Sequence, residues 1–387
     1  MMKTIDGRLV GLPYRKRNRF LKVLNDRFYD LPCPLNLNAW WRFGSILGLC
    51  LGIQVITGVL LAFHYTPHVD IAYDSVIHII RNVKKGWILR SSHANGASIY
   101  FICIYIHIGR GIYYGSYLDK KVWNVGIILY FLIIGEAFFG YSLPWGQISY
   151  WGVTVITNFL TVLPKGKELL HYVWGGWTVC DSTLKRFYTL HIILPFLIFH
   201  VILLHLLFLH DNGSNNPLGV ESDIMSITFH PWYTVKDLFG FVCFSWVYIY
   251  LVTLDPELLG NPVNYIPADT MKTPFHIKPE WYFIWAYTIL RSVPWKGPGV
   301  ASMFIAILVL FFLPYLHNGY FRRIRFYPVG QIMFWGLVAT FFGLTWIGNS
   351  YVRYPYVEIG RFYRVMYFSL MFFMPTSLWF WDELIRK

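Results

Sequence analysis

The sequence predicts an all-α, polytopic membrane protein with eight transmembrane helices, and three observations predict it. Of its 387 residues, 56% are hydrophobic, 20% aromatic and only 14% charged, a balance too apolar for a water-soluble enzyme. Eight segments reach the roughly 20 residues that about 30 Å of hydrocarbon demands, near 41–63, 87–114, 122–143, 184–210, 236–254, 299–317, 329–349 and 356–376. Two histidine pairs, His93/His107 and His191/His205, stand fourteen residues apart inside the second and fourth of these segments. That spacing is about 0.4 of a residue short of four turns, so each pair shares one helix face about 21 Å apart along the axis. A lone histidine there would pass as a core hydrogen bonder. Four in matched register read as axial ligands of two stacked haems, which makes the first four spans a haem-binding bundle, since ionisable groups in lipid face a bundle interior and serve a purpose.

Residues 1–40 form an arm. Arg15, Lys16, Arg17, Arg19, Lys22 and Arg27 place the amino terminus on the matrix or cytoplasmic side, called inner below, by the positive-inside rule. Phe20, Val23, Leu24 and Phe28 at helical spacing predict an interfacial helix on that surface. No apolar signal-peptide region precedes it; a cleavable transit peptide is the competing reading, but the segment contains acids and runs straight into the first span.

The first and third spans carry Gly44 and Gly58, then Gly126 and Gly140, again fourteen residues apart. They run opposite to the histidine-bearing spans. The expectation is that each macrocycle presses its edge against the two helices that do not ligate it, where only glycine admits a close backbone. Helix packing explains any one of these glycines; the shared period is the argument. The second and fourth spans run in the same direction, so His93 pairs with His191 on an outer haem iron and His107 with His205 on an inner one. Arg90, Arg110 and Arg186 lie near the expected haem edges, where propionates need cations. Snorkelling is the alternative for each.

The outer loops at about 144–183 and 255–298 hold apolar and proline-rich stretches and are expected to roof a site, because irregular backbone at membrane depth must be covered by protein or line a cavity. Four further spans complete the chain. The division is thus an arm at 1–40, a haem-binding region at 41–217 with outer loop helices, and a C-terminal region at 218–387. An even number of spans returns the carboxyl terminus to the inner side.

The formal charge of +13 does not signal nucleic acid, because the basic residues sit in loops and at the amino end rather than on one aromatic-interleaved face. Cys33, Cys50, Cys103, Cys180 and Cys243 form no CxxC and no CxxCH, so neither a thiolate metal site nor covalent haem attachment is encoded. Any haem is held noncovalently. Two imidazoles per iron fill both axial positions and suit electron transfer.

The segments HANGASIYFICIYIHIGRGIYYGSY at 93–117, FFGYSLPWGQISYWGVTVITN at 138–158, LHIILPFLIFHVILLHLLFLHDNGSNNP at 190–217, FHPWYTVKDLFG at 229–240 and PEWYFIWAYTILRS at 279–292 together carry a resemblance. The chain resembles the cytochrome b family of respiratory bc1 complexes over nearly its whole length. The resemblance implies the catalytic subunit of a quinol–cytochrome c reductase: two b-type haems, quinol oxidised at an outer site, ubiquinone reduced at an inner one, and protons translocated by a Q cycle. It implies as partners a Rieske iron–sulfur protein, cytochrome c1 and accessory subunits in a homodimeric complex. It also implies a multi-pass place in the mitochondrial inner membrane, both termini on the matrix side. Glu280 would accept a quinol proton, although a loop carboxylate there otherwise pairs with Lys278 or Arg291. Tyr287 and the stretch from Gly152 to Asn158 would shape the same outer pocket. His210 and Asp237, with Ser214 and Lys236 beside them, would serve the inner quinone, although a lone His210 at a helix end reads as a dipole cap.

Arg42 stands where the family usually has a small polar residue, Trp295 and Pro298 occupy unusual outer-loop positions, and Glu358, Arg361 and Arg364 charge the last span. Two rivals use the same histidines. Another two-haem transmembrane electron carrier would have fewer spans and no PEWY loop, and a proton-coupled transporter would bind no iron and would not need the glycine period.

Overall fold

The computed structural model describes residues 13–386. Its helices are α1 (Phe43–Ala62, entered through a turn at Ala39–Arg42), α2 (Ala72–Arg81), α3 (Gly86–Tyr113), α4 (Lys120–Ser142), α5 (Gln147–Thr157), α6 (Gly166–Trp174), α7 (Asp181–Asn212), α8 (Trp232–Thr253), α9 (Trp281–Arg291), α10 (Lys296–Leu308), α11 (Pro328–Gly348) and α12 (Tyr356–Ile385). Further short turns carry α10 on to Leu316. The helices α2, α5, α6 and α9 belong to the loops, and the other eight coincide with the expected spans.

Six of the eight are long and apolar enough to cross a membrane by length and composition. The remaining two, α3 and α12, have 28 and 30 residues but are more polar. In α3 the polar residues Ser92, Asn95 and Ser98 are buried, so they face protein rather than lipid. The opposite case is α7, whose Ile193, Phe196, Phe199 and Leu203 are exposed. An apolar face of that size belongs against hydrocarbon chains.

Packing sorts the spans into two groups. In the first, α1 lies along α3 and α4 along α7; in the second, α11 packs on α12 and on α9. The arm differs from a single interfacial helix. Asn18 takes an extended conformation and its side chain accepts from the backbone N–H of Phe20 (3.0 Å) and Leu21 (3.1 Å), ending one short helix and capping the next, Arg19–Leu24. Phe20, Val23, Leu24 and Phe28 are nevertheless exposed, as a membrane-facing surface requires. The arm then ties back: Pro32–Pro34 pairs antiparallel with Ser226–Thr228, and the Tyr233 hydroxyl donates to the Pro34 carbonyl.

The carboxyl end is locked by Asp382, 4% exposed, which accepts from Tyr320 N (2.8 Å) and from the Tyr327 hydroxyl (2.9 Å). Asp382→Ala would leave the buried Tyr327 hydroxyl without its acceptor, at a cost of about 1–3 kcal/mol, and would release Tyr320 N as well. The expected result is a complex whose haem spectrum is lost at a lower temperature than the parent's, measured by absorbance on heating.

Candidate functional site

Antiparallel packing brings each histidine of one fourteen-residue series against a glycine of the other. At the outer level the rings of His93 on α3 and His191 on α7 lie 6.1 Å apart, centroid to centroid, with an interplanar angle of 89°. A metal bound between two imidazoles needs roughly 6 Å, two metal–nitrogen bonds of about 2 Å plus the ring radii. In both rings Nδ1 is engaged elsewhere. His93 Nδ1 is 2.9 Å from Thr57 Oγ1, and His191 Nδ1 is 3.1 Å from the Glu136 carbonyl and 2.7 Å from Glu136 Oε1. Fixing Nδ1 on an acceptor leaves Nε2 to ligate, the usual arrangement around a metal-bound histidine.

At the inner level, His107 on α3 and His205 on α7 line a cavity of about 1270 Å³. That exceeds the room one small ligand takes. Arg110, in the same wall, donates to Ser116 Oγ (3.1 Å), and its buried Nε has no hydrogen-bond partner among the described residues. Such an orphaned cationic donor fits an anionic, iron-bearing macrocycle. The cavity continues past His205 to His210, Ser214, Lys236, Asp237, Ser45 and Arg42, so the expected inner-site residues are gathered in one place. Arg42 also packs on Gly240, where an added Cβ would sit 3.3 Å from its Cδ.

The four glycines all face ligand-bearing helices. A Cβ added at Gly44, Gly58, Gly126 or Gly140 would come 3.6, 3.1, 3.2 or 2.5 Å from the Cε1 of His107, His93, His205 or His191 respectively. Each glycine therefore clears the edge of one imidazole. The fourteen-residue period of the glycines is therefore imposed directly by that of the histidines, through contact between neighbouring antiparallel helices.

Arg186 is also placed differently. It is exposed and donates to the Tyr172 carbonyl and, at 3.2 Å, to the Val173 carbonyl at the end of α6. Five residues separate it from His191, about 140° around the helix, so the two do not share a flank. Arg90, three residues from His93, is close enough for its charge to act on both His93 and the outer loop carboxylate.

That carboxylate is Glu280, the residue before α9, turned inward. Burial raises its pKa above the ordinary carboxylate range, opposed by Tyr141, Arg90 and Lys278 nearby. The Tyr141 hydroxyl lies beside it without closing a standard hydrogen bond. Lys278 is bonded to Asn349 and Arg291 to the Ser350 carbonyl (2.9 Å), and among the described residues neither forms an ion pair with Glu280. A cavity of about 520 Å³ adjoins the carboxyl, walled by Leu258, Trp281, Ile284, Phe342 and Trp346 among others. Tyr287 and Gly152 do not line it. Seven residues put Tyr287 on the same face of α9 but about 10 Å further along, where Arg291 lies over its ring at 5.9 Å; Gly152, on α5, faces open space.

Glu136 was not singled out in the sequence. The signal was available: it is an acid inside an apolar span, four residues before Gly140, and intramembrane acids are functional by default. Of the departures, Glu358 pairs with Arg361 at 2.9 Å and Arg364 donates to the Ser292 carbonyl at 3.1 Å. Trp295 is exposed.

Comparison with known proteins agrees with this geometry. The chain matches the family Cytochrome b/b6/petB over residues 28–213 and the family Cytochrome b(C-terminal)/b6/petD over residues 267–368. It is 61% identical over 361 residues to the cytochrome b of Mytilus edulis, covering 93% of this chain and 91% of that protein. Among solved structures it is similar to a chain of a hyperthermophilic respiratory Complex III, with a TM-score of 0.88 and 29% identity, covering 95% of this chain and 99% of that one.

Proposed function

Since this chain belongs to the cytochrome b family of respiratory complex III, we propose that it holds two noncovalent b-type haems, one at each histidine level, and joins quinol oxidation at the outer face to quinone reduction at the inner face. The observation that carries this is the pairing of four imidazoles with four glycines at two levels, His93/His191 in ligand geometry. When bound, the haems supply one-electron transfer between the levels.

The chain's own residues supply the rest. His93 and His191 would hold the outer haem and His107 and His205 the inner one, and two imidazoles for each iron would leave no open position for oxygen. Glu280 is the outer base: its carboxylate accepts a proton from the quinol hydroxyl and, being buried beside a cavity, holds it away from bulk water. At the inner cavity His210 and Asp237 hand protons to the quinone oxygens, with Ser214 and Lys236 alongside. Arg110 balances charge at the inner haem edge. In this reading the complex is a homodimer with a Rieske iron–sulfur protein and cytochrome c1, uses ubiquinone, and lies in the mitochondrial inner membrane with both termini on the matrix side.

A reduced-minus-oxidised spectrum with pyridine haemochrome analysis and a redox titration of the isolated complex tests it. Two low-spin b haems per chain, titrating at distinct potentials, are the expected result. One haem would refute the two-haem assignment, and none would also favour the transporter reading.

A further inference from the structure

We propose that Glu136 is a positioning residue for the outer haem: its carboxylate holds the ligand His191 and its negative charge lowers that haem's reduction potential. The proposal rests on the two-haem reading above.

Glu136 presents two acceptors to one nitrogen. Oε1 is 2.7 Å and its own carbonyl 3.1 Å from His191 Nδ1, while Oε2 is buried without a hydrogen-bond partner among the described residues. A carboxylate kept inside a span for structural reasons would be expected to meet an arginine or lysine. This one meets an imidazole N–H. Across the site the partner is neutral: Thr57 Oγ1 gives its proton to the Ile53 carbonyl (2.7 Å) and accepts from His93 Nδ1. At the inner level no carboxylate hydrogen-bonds either ligand among the described residues; the side chain nearest His107 Nδ1 is Arg110, with Nη2 at 3.5 Å. A carboxylate behind a ligating histidine raises its basicity and favours the more positive, ferric state. With no such carboxylate at the inner level, the outer level is the harder of the two to reduce.

The position is also held sterically. The edge of His191 fits against Gly140, one turn along α4 from Glu136, so the ring lies close against the helix that carries the carboxylate.

The test is Glu136→Gln in the assembled complex, which keeps the size and an acceptor and removes the charge. The outer haem is expected to become about tenfold easier to reduce, about 59 mV upward for a one-electron couple, with the inner potential unchanged and Glu136→Asp close to the parent. A Glu136→Gln complex that keeps both b haems with an unmoved outer potential overturns the role of Glu136 alone. A parent complex with fewer than two b haems overturns the two-haem reading beneath it as well. If the variant does not assemble, the unmodified complex decides: the near-infrared charge-transfer band of the oxidised outer haem should lie at higher energy than that of the inner haem. Coincident bands overturn the proposal.

Discussion

Gly140→Ala is expected to cost the complex its outer haem. An alanine Cβ at this position would stand 2.5 Å from His191 Cε1 and 3.0 Å from both ring nitrogens. Carbon atoms do not approach so closely without displacement, and the displaced partner would be the ring itself. Its escape is blocked by the bonds from Nδ1 to Glu136, so any tilt that clears the methyl group gives up that contact or turns Nε2 off the iron. Overpacking of about 1–3 kcal/mol translates to roughly 5–150-fold in affinity for the outer haem. Haem content should fall from two per chain towards one, measured by pyridine haemochrome, with the inner haem still titrating at its original potential. The other glycines provide the internal scale. Gly58→Ala and Gly126→Ala, with contacts of 3.1 and 3.2 Å, should weaken binding less, and Gly44→Ala, at 3.6 Å, should retain both haems. If all four alanine variants lose haem equally, ring clearance is not what the glycines provide.

The same glycines show how far the sequence was readable. Their period identified the helices and levels correctly, because period is a property of a single chain segment and survives in a one-dimensional pattern. That they also clear the imidazole edges was not legible, since contact depends on how two antiparallel helices rotate about their axes, and neither sequence alone encodes that rotation. Arg186 failed for a related reason: nearness in number to His191 is not nearness in angle, and the carbonyls at the end of α6 competed for its guanidinium. Tyr287 shared the face of Glu280 but not its depth. The inner site fared better. His210 and Asp237 stand at the inner ends of α7 and α8, so their convergence follows from topology alone. Asn18, which breaks the arm, is a strong helix-capping residue that the apolar spacing around it concealed. Glu136 was legible by the rule for acids in membranes, but ligand-seeking by histidine spacing passes over the residue that stands behind the ligand.

Glu280→Gln is expected to lower the quinol-oxidation rate about 100-fold or more while leaving haem content and potentials intact, since a positioned general base contributes about 10²–10⁴-fold. The carboxyl is enclosed yet adjoins a cavity, and neither Lys278 nor Arg291 neutralises it as an ion pair. Burial, the largest influence, favours its neutral form, while Tyr141, Arg90 and Lys278 favour the ionised one. The net shift is upward, which fixes the sign of the pH dependence. A base must be ionised to accept a proton, so activity should rise with pH through the raised pKa of Glu280 and fall away on the acid side of it. The acid limb therefore lies above the ordinary carboxylate range. In Glu280→Gln that limb should vanish and leave a low, flat rate over the same interval, measured as steady-state cytochrome c reduction against pH. Glu280→Asp should keep the limb at reduced height, because the shorter side chain retains the acid but withdraws it from the cavity. A Glu280→Gln complex that preserves both the rate and the acid limb would transfer the proton to another group at the outer face.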